Sequence, residues 1–290
     1  MSQKNLARVL VLGASGMLGN TVLRFFAQSD GFEVTGSVRS KEALHRLPQA
    51  FRQNVVCEVD IDNSDSLVKL FALTRPDVVI NCIGLIKGHA GVDDPLSVIP
   101  TNSLLPHRLA LACEVARARL VHISTDCVFS GAEGMYTESH LPDAQDLYGR
   151  SKLMGEVDYA HAVTLRTSII GHELAGTNSL IEWFLAQSGP VKGFSKAIFS
   201  GLPAVELALV MRDYVIPDAT LRGVHHVSSE PVNKYDLLQL VARTYGKATK
   251  IIADDQVVIN RSLDSTKFRQ LTGYRPPVWT ELVRRMHDFG

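Results

Sequence analysis

Tyr148 and Lys152 stand four positions apart in the stretch DLYGRSKLMGE, residues 146–156. On a helix, side chains at that spacing lie one above the other, so a phenol and an ammonium converge on one point. Free tyrosine has a pKa of about 10 and relays protons poorly at neutral pH; an ammonium within reach stabilises the phenolate and is expected to lower that value. A Y-x-x-x-K pair by itself is most often helix surface. Its context here is HISTDCVF (122–129), which sets Ser124 and Thr125 at the end of a β-branched run shortly upstream. A hydroxyl, a phenol and an ammonium are the groups required to polarise a carbonyl and protonate its oxygen while a hydride reaches its carbon.

A second constellation lies near the N-terminus, where VLVLGASGMLGNTV (9–22) puts Gly13, Gly16 and Gly19 between a strand pattern and a helix pattern. Glycine lets a strand turn tightly and a diphosphate approach the backbone, and the helix N-terminus behind it offers unpaired N–H groups. The spacing is G-x-x-G-x-x-G rather than G-x-G-x-x-G, and a turn needed only for helix packing is the bland alternative. After the second strand, SVRSKEA (37–43) offers Arg39, with Ser40 or Lys41, where a carboxylate would favour NAD. A cation there suits the 2′-phosphate of NADP, so NADPH is the expected cofactor and NADH the weaker alternative. Later strand ends, EVDIDN (58–63) and NCIG (81–84), supply Asp60 and Ile61 for an adenine, and Cys82, Ile83 and Gly84 as a small wall beside the ribose and diphosphate.

The elements that must position these groups alternate. Short apolar runs at 8–13, 33–38, 77–84, 119–125 and 162–170 are separated by segments of helical period at 20–28, 64–73 and 104–118. Strands apolar on both faces with helices between them predict a doubly wound parallel sheet, a Rossmann-like α/β fold with ligands at the carboxyl ends of its strands. Residues 1–170 are expected to form this domain. Residues 171–290 are expected to be mainly a smaller substrate-binding lobe, with some segments returning to the first. Thirty Lys+Arg against 30 Asp+Glu give no net charge, which argues against nucleic acid or an anionic membrane as partner. The N-terminal MSQKNLARVLVLG lacks a secretory pattern and the four cysteines form no C-x-x-C pair, so free thiols and a cytoplasmic location are expected.

Together, GASGMLG, DVVINCIG, IPTNSLLPHRLA, HISTDCVFSG, YTESHLPDAQDLYGRSKLMGE, LRTSIIG and RSLDSTKFRQLTGYRPPVW resemble the dTDP-4-dehydrorhamnose reductase family of the extended short-chain dehydrogenase/reductases, over nearly the whole chain. The resemblance implies Thr125, Tyr148 and Lys152 as catalytic residues. It also implies an NADPH site built from Gly13, Ser15, Gly16, Met17, Leu18, Gly19, Arg39, Asn102, Tyr148, Lys152 and Ser168, with Asn102 opening the helix beside the active site. The implied reaction is reduction of the C4 ketone of a nucleotide-linked 4-keto-6-deoxy-hexose, used for cell-surface polysaccharide precursors such as O-antigen.

Departures from the family bear on the substrate. Ile169 stands where a tryptophan is usual, and Cys82, Ile83 and Leu85 stand where small residues followed by an aromatic are usual. A UDP-linked 2-acetamido-4-keto sugar is therefore an equal candidate. Substrate contacts are expected from Ser124 and Thr125, from Lys87 and Arg261 on the diphosphate, and from Asn178, although Asn178 and Ser179 equally suit a helix N-cap. No acidic set for magnesium is found, so no metal is assigned, and a homodimer is the one assembly considered. Cys127 is read as a small wall residue, His225 and His226 as core or surface histidines, and Arg284 and Arg285 as a solvated helix face. Two other functions share this framework: a nucleotide-sugar epimerase, and a non-catalytic NADP-binding regulatory subunit like that of methionine adenosyltransferase. A 4,6-dehydratase generally carries Thr-Asp-Glu after the fifth strand, whereas Thr125 and Asp126 here precede Cys127.

Overall fold

The computed structural model describes residues 6–88 and 91–290. In chain order its first half carries β1 (Ala7–Leu12), α1 (Met17–Ala27), β2 (Phe32–Ser37), α2 (Lys41–Arg46), β3 (Val55–Val56), α3 (Ser64–Thr74), β4 (Val78–Asn81), α4 (Pro95–Val98), α5 (Leu105–Ala116), β5 (Arg119–Thr125), α6 (Leu147–Met154) and β6 (Ala162–Thr167). The second half carries β7 (Ile169–Ile170), α7 (Leu180–Ala186), β8 (Val191–Phe194), β9 (Ala197–Phe199), β10 (Leu202–Pro203), α8 (Ala204–Val210), β11 (Gly223–His226), β12 (Val232–Asn233), α9 (Lys234–Thr244), β13 (Ile251–Asp254), β14 (Ile259–Asn260), α10 (Thr266–Thr272) and α11 (Trp279–Phe289).

Seven strands form one parallel sheet in the order β11-β6-β5-β4-β1-β2-β3. The order reverses between β1 and β4, and that crevice is where ligands bind in open α/β sheets. Along β1, Val9 and Val11 enter one core cluster with Val22, Leu23 and Phe26 of α1, while Leu10 and Leu12 enter another with Leu67 and Leu70 of α3 and Leu109 of α5. A strand whose alternate residues are both apolar needs cover on both faces, which explains the two helical layers.

From the second half of the chain, Gly223–His226 returns to the edge of the large sheet as β11 beside β6. The core facing α1 continues without a break into Leu207 of α8, Phe268 of α10 and Trp279 of α11. Away from the large sheet the second half adds three small sheets, β7 with β10, β12-β9-β14, and β8 with β13. The helix read over 104–118 has a wide π-helical turn, Ile99–Leu104, leading into α5. Pro100 and Pro106 lack the N–H groups a regular helix would use there.

Candidate active site

The glycine turn is fixed by close packing. Gly13 has φ +78, and a Cβ there would stand 2.9 Å from Ile83 Cγ1. A Cβ on Gly19 would lie 2.1 Å from the Gly13 carbonyl oxygen, whereas one on Gly16 would meet nothing nearer than 3.5 Å. Gly13 and Gly19 thus serve helix packing, and Gly16 keeps the approach to the turn open. The N-terminus of α1 has no side-chain cap and no acidic residue in its first turn. Elsewhere, Ser40, Asn63, Asp94, Asp146, Ser179 and Asn233 cap their helices with side-chain oxygens. An uncapped, glycine-lined N-terminus beside Ser15, Met17 and Leu18 at a sheet's switch point fits a dinucleotide diphosphate.

Around the turn the other expected contacts are distributed unequally. Arg39 is exposed at the end of β2, while Ser40 is engaged as the α2 cap, accepting from Ala43 N at 3.2 Å. Asp60 is exposed and Ile61 packs against the core on the α3 side. Gly84 borders Lys152, whose Nζ would be 3.8 Å from a Cβ placed there. Asn102 is buried, and its amide is fully used: Oδ1 accepts from Leu85 N at 2.9 Å, while Nδ2 donates to Leu85 O at 2.9 Å and to Ser151 Oγ at 3.1 Å. It pins the loop after β4 to α6, with both amide hydrogens engaged inside the protein. Ser168 is half-buried, its carbonyl accepting from Leu202 N at 2.8 Å.

Asp146 opens α6, its Oδ1 accepting from Gly149 N at 2.8 Å. This cap sets Tyr148 in the first turn and Lys152 one turn later. A Cβ on Gly149 would fall 2.3 Å from Cys127 O, so glycine brings α6 directly onto the turn after β5. Thr125 Oγ1 accepts from Cys127 N at 3.1 Å and donates to Asp126 Oδ1 at 3.2 Å. Lys152 is buried, and its Nζ donates to Ile123 O at 2.7 Å.

The expected lowering of the tyrosine is not what this arrangement produces. Burial pushes the Tyr148 phenol up, as do Cys127, Asp126 and Asp146, with only the Thr125 hydroxyl opposing them. Lys152 is turned to the Ile123 carbonyl, and burial lowers it to about 8 against the opposing pull of Glu156 and Cys82. The phenol is consequently held as a proton donor. That state suits delivery of a proton to a developing alkoxide better than withdrawal of one from an alcohol.

Beside the start of α6, Lys87 Nζ contacts Asp146 Oδ2 at 2.8 Å and stands 5.7 Å from the centre of the Tyr148 ring. Arg261 Nε donates to Phe129 O at 2.9 Å. Asp126 is buried, which raises its carboxyl, while Arg261 and then Lys234 act in the other direction. Lys234, the first residue of α9, was not singled out by the sequence, because nothing local links it to residue 126. Asn178 is exposed with its N–H donated to Glu173 Oε2 at 3.0 Å, and Ser179 is the N-cap of α7.

Ser124 departs from its expected role. Its hydroxyl donates to Glu156 Oε1 at 2.7 Å and is thereby engaged inside the protein. Cys127 is half-buried, its thiol raised by burial to about 11, which keeps it protonated and unreactive at neutral pH. Among the described residues no group of three or more His, Cys, Asp or Glu could hold a metal ion, and no helix is long and apolar enough to cross a membrane.

A doubly wound sheet with an open glycine turn at its switch point and a Thr/Tyr/Lys set at the neighbouring strand end defines the extended short-chain dehydrogenase/reductase class. Within it the chain belongs to the dTDP-4-dehydrorhamnose reductase family, whose model, described as the RmlD substrate binding domain, matches residues 7–288. It is similar to a probable low-salt glycan biosynthesis reductase of Haloferax volcanii, 30% identical over 76% of this chain and 74% of the relative. It is also similar to the methionine adenosyltransferase 2 subunit beta of Mus musculus, 26% identical over 97% of this chain and 88% of the relative. Among solved structures, a dTDP-4-dehydrorhamnose reductase from Bacillus anthracis in complex with NADP superposes with a TM-score of 0.79 at 19% identity, covering 98% of this chain and all of that one.

Proposed function

We propose that the protein is an NADPH-dependent oxidoreductase that reduces the C4 ketone of a nucleotide-linked 4-keto-6-deoxy-hexose. The observation that supports this reading is that the Asp146 cap and the close approach of Gly149 to Cys127 O set Tyr148 and Lys152 of α6 against the Thr125 end of β5, at the carboxyl edge of the sheet that also carries the uncapped α1 turn. Bound in that turn, NADPH would supply the hydride. Tyr148 protonates the alkoxide oxygen as it forms, and the Thr125 hydroxyl, released from Asp126, hydrogen-bonds the same oxygen. Lys152, one turn further along α6, is the cation that would stabilise the tyrosinate once its ammonium turns from the Ile123 carbonyl. In this reading Arg39 takes the 2′-phosphate, and Lys87 and Arg261, with Lys234, supply the cations that offset an anionic nucleotide moiety; their support is that Lys87 flanks Tyr148 and Arg261 acts on Asp126.

The test is NADPH consumption with enzymatically generated dTDP-4-keto-6-deoxy-L-mannose and with the UDP-linked 2-acetamido-4-keto-6-deoxy-L-hexose. Turnover of either supports a reductase, and the ratio of the two kcat/KM values chooses the nucleotide sugar. A role in cell-surface polysaccharide synthesis follows if one of them is turned over. One observation favours a second reading: the similarity to a methionine adenosyltransferase subunit spans nearly the whole chain. Tight NADPH binding without turnover of either sugar, together with a stable complex with a methionine adenosyltransferase, would replace the reductase by a regulatory subunit.

A further inference from the structure

Behind the proposed catalytic groups lies a chain of buried polar contacts that the reaction as drawn does not use. Glu156 follows α6, four residues beyond Lys152, and the two side chains meet adjacent residues of β5: Lys152 Nζ donates to Ile123 O at 2.7 Å, and the Glu156 carboxylate accepts from Ser124 Oγ. Its carboxylate is clamped from two strands. From β5, Ser124 Oγ donates to Oε1 at 2.7 Å; from β6, Arg166 Nε donates to Oε1 at 2.7 Å and Nη2 to Oε2 at 2.6 Å. The two strands present these partners side by side, because Ser124 and Arg166 are directly paired in the parallel register. Both charged side chains are only 6% exposed.

Arg166 is itself held. Its Nη1 lies 3.2 Å from His226 Nε2, and His226 Nδ1 lies 2.9 Å from the Tyr136 carbonyl. A carbonyl only accepts, so the imidazole carries its proton on Nδ1 and offers Nε2 as an acceptor to the guanidinium. Burial lowers His226 to about 4, which keeps it in that neutral form. The Arg166 guanidinium also stands 5.4 Å from the centre of the Phe129 ring. Arg166 is therefore fixed by neighbours from β11 and from the loop after β5.

We propose that Glu156 is a positioning residue: a carboxylate immobilised by Ser124 and Arg166, it holds the proton on Lys152 at the pH where the reaction runs. The groups that face Lys152 are Cys82 after β4, His122 on β5, and Tyr148 and Glu156 from its own segment. His122 is fully buried, with Asn81 Nδ2 3.1 Å from its Nδ1, and is kept neutral; Cys82 is a protonated thiol and Tyr148 a protonated phenol. Glu156 is the one of these four that carries a negative charge. Without it, burial of the ammonium and the uncompensated Arg166 charge act in the same direction and drive Lys152 towards the neutral amine.

The kinetic arm of this inference rests on the reductase reading, but its primary test does not. Lysine side-chain NMR on the full chain, with the Lys152 signal assigned by its loss in Lys152→Met, reads the titration directly. In Glu156→Gln the midpoint is expected to fall by at least one unit, a tenfold increase in the proton dissociation constant. In the double variant Glu156→Gln/Arg166→Met, which removes the stranded cation, part of that fall is expected to reverse. If Glu156→Gln does not fold, Ser124→Ala removes one clamp bond and is expected to move the midpoint in the same direction by a smaller amount. Where turnover is measurable, the alkaline limb of the kcat profile moves with the NMR midpoint. An unchanged Lys152 midpoint in Glu156→Gln, or in Ser124→Ala where only that variant folds, overturns the proposal. A shifted midpoint without turnover of any keto-sugar supports it and counts against the reductase alone.

Discussion

Tyr148 separates chemistry from scaffolding because removing its hydroxyl deletes the proton and little else. Tyr148→Phe is expected to reduce turnover by roughly 10²–10⁴-fold, the usual range for a general acid, while NADPH affinity changes by no more than about twofold. Stopped-assay turnover set against NADPH fluorescence titration decides this, and equal loss of both would make the tyrosine structural. Lys152 yields a pH prediction whose sign follows from its position. Its folded value is about 8, below the ordinary 10.5, so it is mainly charged at neutral pH and loses its proton as pH rises past 8. Tyr148 is pushed the other way and stays protonated throughout that range. The kcat for ketone reduction is therefore expected to decline above about pH 8, a decline absent from the residual activity of Lys152→Met. At this scale the sequence displayed Thr125, Tyr148 and Lys152 by type and spacing. It hid Glu156, although the residue lies within the same quoted motif. A carboxylate on a helix face is ordinarily solvated surface, and only the pairing of β5 with β6 shows that Arg166 and Ser124 meet it.

At the scale of elements, the glycines of the first turn divide into two kinds, and the division is testable. Gly19→Ala drives a methyl to 2.1 Å from a backbone oxygen that cannot retreat without moving α1 from β1. Overpacking of that kind is expected to destabilise by about 1–3 kcal/mol and to weaken NADPH binding through displacement of α1. Gly16→Ala leaves its nearest neighbour 3.5 Å away, so thermal stability should hold while NADPH binding falls, because the new methyl faces the exposed approach to the turn. Thermal melts of both variants with and without NADPH check this; loss of stability in Gly16→Ala would remove the distinction. The long elements of the sheet and its helices were legible because short continuous apolar runs differ from longer segments of period 3.6. The strands β10, β12 and β14 were not, since each has two residues and no pattern to read. The pairing of β11 with β6 was not legible either, because a crossover of many residues decides it. The turn Ile99–Leu104 was equally hidden, because a widened helical turn leaves the apolar spacing nearly unchanged.

For the molecule as a whole, the question is whether the cofactor turn and the outer helices form one cooperative unit. Arg285, read as a solvated charge, instead donates from Nη1 to Glu206 Oε2 at 2.7 Å, and the Tyr274 hydroxyl meets Oε1 at 3.0 Å. Glu206 is buried on α8, so these contacts tie α11 and the segment after α10 to the layer that covers α1. In Glu206→Ala the buried Tyr274 hydroxyl loses its partner, at a typical cost of about 1–3 kcal/mol. Arg285 is 36% exposed and recovers most of its solvation, so it adds little. Melting is expected to fall by several degrees in consequence. The glycine turn is held by different contacts, those of Gly13 with Cys82 and Ile83 and of Gly19 with Gly13. NADPH affinity should then survive, and NADPH at about 100 times its Kd should restore roughly 2.7 kcal/mol in the variant as in the parent. Equal ligand-induced rises in Tm would mean that the outer helices stabilise the fold without shaping the site. A smaller rise in Glu206→Ala, with Kd increased in step, would mean that the layer over α1 is part of the cofactor site.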